Sequence, residues 1–252
     1  MSRTALRTLL VLLAGLTASL WPLAPAQAET ENCTAIAALP FTITAPGIYC
    51  LKGNLETSAT SGDVISIGAS NVVLDFNGFY VSNLSARSTT AARAVVFTGR
   101  KNVTIRNGSI IRFYAGIVFS GDVQGLLIEQ MRLAENRNSG ISGFALPGGA
   151  SGVIRDCQVN KTGGGVVSPF GIGLVGGQME VANNFVKQVT PNGGTGFGIL
   201  LNSSTNHVAV NNRISTAGVG IRMDASQGKR RDNITTNVAT PYQGGIDLGN
   251  NN

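Results

Sequence analysis

The chain is short of the side chains from which most catalytic and metal centres are assembled. Its 252 residues include one histidine, one tryptophan and three cysteines, and charged residues make up only 13%. Three cysteines and one histidine without ligand spacing give no zinc site. His207 has no GxSxG element to work with, so a serine triad is unsupported and the residue reads as a surface turn histidine. The only indole, Trp21, sits in an N-terminal leader, which counts against a sugar site built on indole stacking. Long apolar runs are also missing. Residues 9–20 are too few for a comfortable membrane span, and no later run approaches the necessary length.

That first apolar run carries a different signal. Arg3 and Arg7 precede it and Ala26-Gln27-Ala28 follows it, the pattern of a secretory leader with an Ala-x-Ala cleavage site. Residues 1–28 are therefore expected to be removed, and the mature chain to be periplasmic or secreted with no transmembrane segment. The leader takes two arginines with it, leaving 17 basic against 13 acidic side chains. Such a balance suits an acidic polymer or a membrane surface; nucleic acid is not expected as a partner of an exported chain. Cys33 and Cys50 lie close together in the exported part, which predicts a disulfide. Cys157 is expected to be a buried structural thiol.

What the chain has in quantity is a repeat. Over 94–141 it consists of short apolar strands broken by Gly, Asn and Asp, and one unit can be laid over the next. Val95-Val96-Phe97 matches Ile117-Val118-Phe119, and Val103-Thr104-Ile105-Arg106 matches Leu126-Leu127-Ile128-Glu129. The strand that opens each unit recurs at Ile65, Val95, Ile117, Ile141, Ile172, Ile199, Ile221 and Ile246, at intervals of 22 to 31 residues. This spacing, without helical periodicity, predicts a strand solenoid. Three strands per unit suit one coil of a parallel β-helix, with Val95, Phe97, Val103, Ile105 and Ile110 pointing inward. Crossovers between parallel strands make the expected coil right-handed. An antiparallel sandwich with Asn-Gly hairpins is the competing arrangement; equal phase in every unit favours the coil.

Stacking like residues on like sets Asp75, Arg106, Glu129 and Arg155 in one outward column of alternating charge. Exposed pairs add little stability, but a slip by one coil would set like charges opposite, so the column should fix register. Asn and Asp gather after the second strand, at Asn77, Asn107, Asp156, Asn183, Asn211 and Asn237. A sharp bend there needs positive φ, which these residues tolerate. About seven to eight coils are expected over 63–252. Residues 29–62 read as an N-terminal cap, a hairpin of 41–43 against 48–51 fastened by the disulfide. The far end has no such cover, which predicts either end-to-end self-association or fraying of the last coil.

Residues 71–78 (NVVLDFNG) and 102–110 (NVTIRNGSI) resemble the right-handed parallel β-helix repeat proteins of the pectate-lyase-like superfamily. The resemblance spans about 63–248 and implies the coil. It also brings in lyases, polygalacturonases, epimerases, tailspikes and non-catalytic envelope proteins, so the site must decide between functions. The Asp-Pro-His-Glu of the mannuronan epimerases is absent, as are the Asp pairs, His-Gly and Arg-Ile-Lys of the polygalacturonases and the Arg-x-Pro-x-x-Arg of the pectate lyases. No catalytic set is carried over.

Gly-rich insertions at 143–152, 162–171 and 189–198 are expected to wall one face whose floor is Ser142, Gly173, Leu200, Arg222 and Asp247. Arg222, Asp224 and Asp247 are the candidate catalytic residues, with Asn202, Ser142, Phe144, Phe170 and Phe197 as candidate substrate contacts. A β-eliminating lyase needs a cation to neutralise a uronate and a base for the adjacent proton, and the aspartates give calcium a possible set of oxygen ligands. Gly171–Gly176 spells GxGxxG, but no helix pattern follows it and no acid stands at the required distance. The expected function is binding of a polysaccharide, an acidic one favoured, with cleavage or epimerisation as its catalytic form. The alternative is a non-catalytic envelope scaffold or accessory protein that interacts with other proteins.

Overall fold

The computed structural model describes residues 32–84, 89–203, 206–224 and 227–252; the leader lies outside them. The described chain is all-β, and every strand pairing in it is parallel, winding a solenoid of about seven turns. Each turn presents three faces, called here the opening, second and third faces after the order of their strands.

Register follows the side chains. On the opening face Ile65 pairs with Val95, then Ile117, Ile141, Ile172, Ile199 and Ile221 in turn. On the second, Leu74, Ile105, Ile128, Ile154, Val181 and Ala209 stack; on the third, Val81, Ile110, Leu133, Val159, Val186 and Ile214. These residues are buried, and each full burial of an aliphatic side chain contributes roughly 1.5–3 kcal/mol. Phe97 and Phe119 stack with ring centroids 5.5 Å apart. The next residue in their column is Gly143, where a Cβ would run into the Phe119 ring edge, 2.6 Å from Cζ.

A second small-residue column bends the coil. Gly116, Gly140, Gly171, Gly198 and Gly220 each precede the opening Ile or its equivalent, and each faces the third-strand side chain across the coil. A Cβ on Gly140 would sit 2.6 Å from Cγ1 of Val159 and 2.7 Å from the carbonyl oxygen of Gly171. The third strand can close onto the first only because no side chain intervenes. Gly171 of the GxGxxG string is one member of this column, in a strand (Phe170–Ala182) with no helix after it.

The corners behave as the Asn and Asp spacing predicts. Asn77, Asn107, Asp156, Asn183 and Asn211 all have φ between 50° and 58° after the second strand. Asn237 is also left-handed but belongs to the corner after the third strand, below Thr216, Gln188 and Lys161; the second-strand corner of that coil is Asp232. The residues just after these bends form a ladder inside the molecule. The Cys157 N–H donates to Asn184 Oδ1 (3.0 Å), Asn184 Nδ2 to Asn212 Oδ1 (3.0 Å), Asn212 Nδ2 to Asn233 Oδ1 (3.0 Å) and Asn233 Nδ2 to Asn251 Oδ1 (2.9 Å). Asn184, Asn212 and Asn233 also donate to the backbone oxygens of Ile154, Val181 and Ala209. All three are essentially buried, so the ladder satisfies amides that would otherwise be costly there.

Four expectations are corrected. The strands Phe41–Ile43 and Gly47–Leu51 are not a hairpin; Phe41 pairs in parallel with Ile65 and Tyr49 with Leu74, so this segment is itself a coil. Pro46-Gly47 turns a corner rather than a chain reversal. Cys33 is bonded to Cys50 and ties Thr34–Ile36, itself parallel to Gly47–Leu51, onto that coil. Second, Ile246 does not open the last unit: Ile221 pairs with Tyr242, and Ile246 with Lys229 on the second face. The apolar Ile-Asp-Leu pattern fits either strand, and the residues 240–243 that occupy the opening position lack an Ile. Third, the corner after Leu248 is not left without partners: Asn250 bonds Asp232 and Asn251 bonds Asn233, repeating the corner motif. Fourth, His207 is 1% exposed rather than on the surface.

Candidate functional site

The opening face brings together part of the predicted constellation. Ser142, Gly173, Leu200 and Arg222 share one outward row, and Asn202 lies beside Asp224 in the next. Gly173 does not leave open floor, because the Phe170 ring lies across it. Arg222 stands 5.6 Å from the centroid of the Phe197 ring and donates from Nε to Asp224 Oδ1 at 2.8 Å. Its guanidinium is thus braced from two sides. Phe144 is 43% exposed and stands one row over, paired with Ser120. The 143–152 insertion is a continuous strand, Ser139–Arg155, with register shifts on both sides of Leu146. The other two insertions support each other, the Asn192 N–H donating to the oxygen of Val166 at 2.9 Å.

Asp247 is placed elsewhere. Its coil slot is directly after Arg230 on the second strand, so it is no neighbour of Arg222, whose row continues to Gln243. Arg230 replaces the aliphatic residue of the inward column. Its Nη1 donates to the carbonyl oxygens of Gly244 and Gly245, its Nη2 lies 3.3 Å from Asp247, and its guanidinium covers the Tyr242 ring at 5.2 Å. The Gly249 N–H first, and then the Asn251 amide, hold the Asp247 carboxyl below its ordinary range. Asp247 closes the last coil, and the three candidate catalytic residues do not meet. The calcium ligands expected from Asp224 and Asp247 are therefore not assembled, and the described residues hold no group of three His, Cys, Asp or Glu side chains fit for a metal.

The marked concavity is on the second face. A groove of about 640 Å³ is lined by Leu127, Ser151, Val153, Arg155, Gln178, Glu180, Asn206 and Val208 among others. It runs on into a hollow of about 300 Å³ bounded by Glu180, Val208, Val210, Lys229, Arg231 and Leu248. Glu180 and Val208 belong to both. Five coils contribute, and at ~4.8 Å per strand the floor is about 19 Å long from Leu127 to Lys229.

Two outward rows make that floor. One reads Leu127, Val153, Glu180, Val208, Lys229; the other is the charge column itself. Upstream the column is as the spacing predicts, with Arg106 Nε 2.9 Å from Asp75 and Arg155 Nη2 2.7 Å from Glu129. After Arg155 it stops: Ala182 and Val210 follow, and the next charge is Arg231. The interruption is what hollows the face. Lys229 forms no salt bridge among the described residues, and Arg231 is paired only at its own corner, with Asp232 at 3.3 Å. Glu129 raises the pKa of Arg155, mainly through its hydrogen bond.

The long insertions point to the opening face, whereas the groove lies on the second. The signal for it was present in the same column, where alternating charge gives way to Ala182 and Val210. No family model matches the chain, and no curated protein or solved structure matches it at a significant level.

Proposed function

We propose that this is an exported protein of the pectate-lyase-like, right-handed kind that binds an acidic polysaccharide along its second face. The observation that supports this reading is the groove: an apolar strip with cations at both ends and one carboxylate between. Leu127, Val153, Val208 and Val210 offer a surface for the C–H faces of sugar rings. Arg155 and Arg231 are three strands apart, about 14 Å, and meet carboxylates spaced along an extended polymer. Glu180, Gln178 and Asn206 supply acceptors and donors for hydroxyl groups. Export follows from the leader, and the Cys33–Cys50 bond fits an oxidising compartment.

Binding, not turnover, is the core of the proposal, since Arg222 is braced and Asp247 is elsewhere. The test is retardation in gels containing polygalacturonate, alginate or hyaluronan, with neutral dextran as control. Retardation by an acidic polymer is expected, weakened by salt and by the Lys229→Gln/Arg231→Gln pair. No retardation by any acidic polymer would overturn the reading in favour of a protein-binding scaffold. Release of unsaturated uronates, lost in Arg222→Ala, would move the working site to the opening face.

A further inference from the structure

The third face carries a second charged surface that the groove does not use. Its outward row from the middle coils to the last reads Arg132, Gln158, Phe185, Arg213, Ile234, and Lys187 stands in the row beside it. Arg132, Lys187 and Arg213 are exposed and form no salt bridge among the described residues. Neither outward row holds a carboxylate from Arg132 to Ile234. Glu135, on the adjoining corner, is already paired with Arg112 at 3.0 Å and Lys161 at 3.9 Å. Phe185 and Ile234 are 43% and 41% exposed, with Arg213 between them.

Single exposed apolar side chains are ordinary on a protein surface; what sets Phe185 and Ile234 apart is that both stand in the row that carries the cations. Here they stand two strands apart, about 10 Å, on a row of parallel strands, each within a strand or two of a guanidinium. The row itself is a surface of parallel strands rather than the floor of the second-face groove. It offers cations with two exposed apolar side chains among them, the combination of electrostatic attraction and apolar burial that holds a protein on a charged interface.

We infer that the third face docks on an anionic lipid surface. Arg132, Lys187 and Arg213 meet headgroup phosphates, and the Phe185 ring and Ile234 enter the headgroup boundary. Each cation near such a surface is worth about a five-fold gain in affinity, and the attraction fades beyond a Debye length, so contact is reversible and sensitive to salt.

The test is flotation of the mature chain, residues 29–252, with phosphatidylcholine vesicles, with and without phosphatidylglycerol. Binding to the anionic vesicles alone is expected. Arg132→Gln/Lys187→Gln/Arg213→Gln should weaken it about a hundred-fold. Phe185→Ser/Ile234→Ser should leave a residual binding that high salt removes completely, and thermal unfolding checks that both variants fold. The groove pair Lys229→Gln/Arg231→Gln should float like the parent, which separates this inference from the polysaccharide reading. No flotation, equal flotation without anionic lipid, or a triple variant that floats like the parent would overturn it. So would loss of polysaccharide retardation in the triple variant without any vesicle binding, which would assign the face to the polymer.

Discussion

The coils before Cys157 and those after it solve the same problem by different means. A parallel solenoid must fix which coil lies on which, because its apolar columns alone tolerate slippage. In the earlier coils charged pairs of the second face do the fixing, Arg106 with Asp75, itself buried, and Arg155 with Glu129, while the inner corner position holds Gly108, Met131 and Cys157. In the later coils the fixing is inside, where Asn184, Asn212, Asn233 and Asn251 pass hydrogen bonds from coil to coil. The change occurs within one turn, between Arg155 outside and Cys157 inside. Once asparagines hold register, the outer face is released from that duty, and that is where Ala182 and Val210 open the groove.

The comparison can be broken most forcefully in the later half. Asn212→Ala removes an acceptor from the Asn184 backbone and side-chain N–H groups and a donor from Val181 and Asn233. Leaving several buried polar groups unmade should cost ~3–5 kcal/mol, read as a fall in the denaturation midpoint with local loosening of the last coils. Gly140→Ala should cost less, about 2–3 kcal/mol, by overpacking against Val159 where the coil is tightest. Equilibrium unfolding measures both.

His207 gives the later half a pH dependence. Burial lowers its pKa to about 4, against 6.5 for the free side chain, and its Nδ1 accepts from the Met179 N–H at 3.2 Å. The unfolded chain therefore binds a proton that the folded chain refuses. Stability contributed by the neutral imidazole is full above about pH 6.5 and is lost as pH falls towards 4. A loss of about 2 kcal/mol between pH 7 and pH 4.5 is expected, and His207→Leu should flatten that slope. The smallest effect belongs to the charge column. Arg155→Gln should leave the unfolding midpoint unchanged within error while lowering retardation by acidic polymers, because exposed pairs set register more than stability.

Much of this was legible in the sequence because a solenoid repeats its reasons. Ile, Val and Leu recur at one phase, so the inward columns, the Asp75–Arg155 alternation and the left-handed Asn corners could be read by laying one unit on another. The N-terminal coil was harder, since Pro-Gly between two short strands signals a reversal locally and only the pairing of Phe41 with Ile65 shows otherwise. The last coil is not legible in the sequence because its opening strand, 240–243, has Tyr242 where the preceding coils have Ile or Val, and Ile246 mimics the missing residue. Asp247 left the candidate site for that reason alone. The buried ladder needed knowledge of which of two adjacent Asn residues turns inward, which composition does not give.

The most direct test of the division of labour is amide hydrogen exchange resolved by coil in Asn212→Ala and in a Glu129→Gln/Arg155→Gln variant. Loss of protection confined to residues after Cys157 in the first, and a smaller loss confined to the coils around Glu129 and Arg155 in the second, is the predicted result. Uniform loosening of both halves in Asn212→Ala, or protection of the last coils as in the parent, would contradict it.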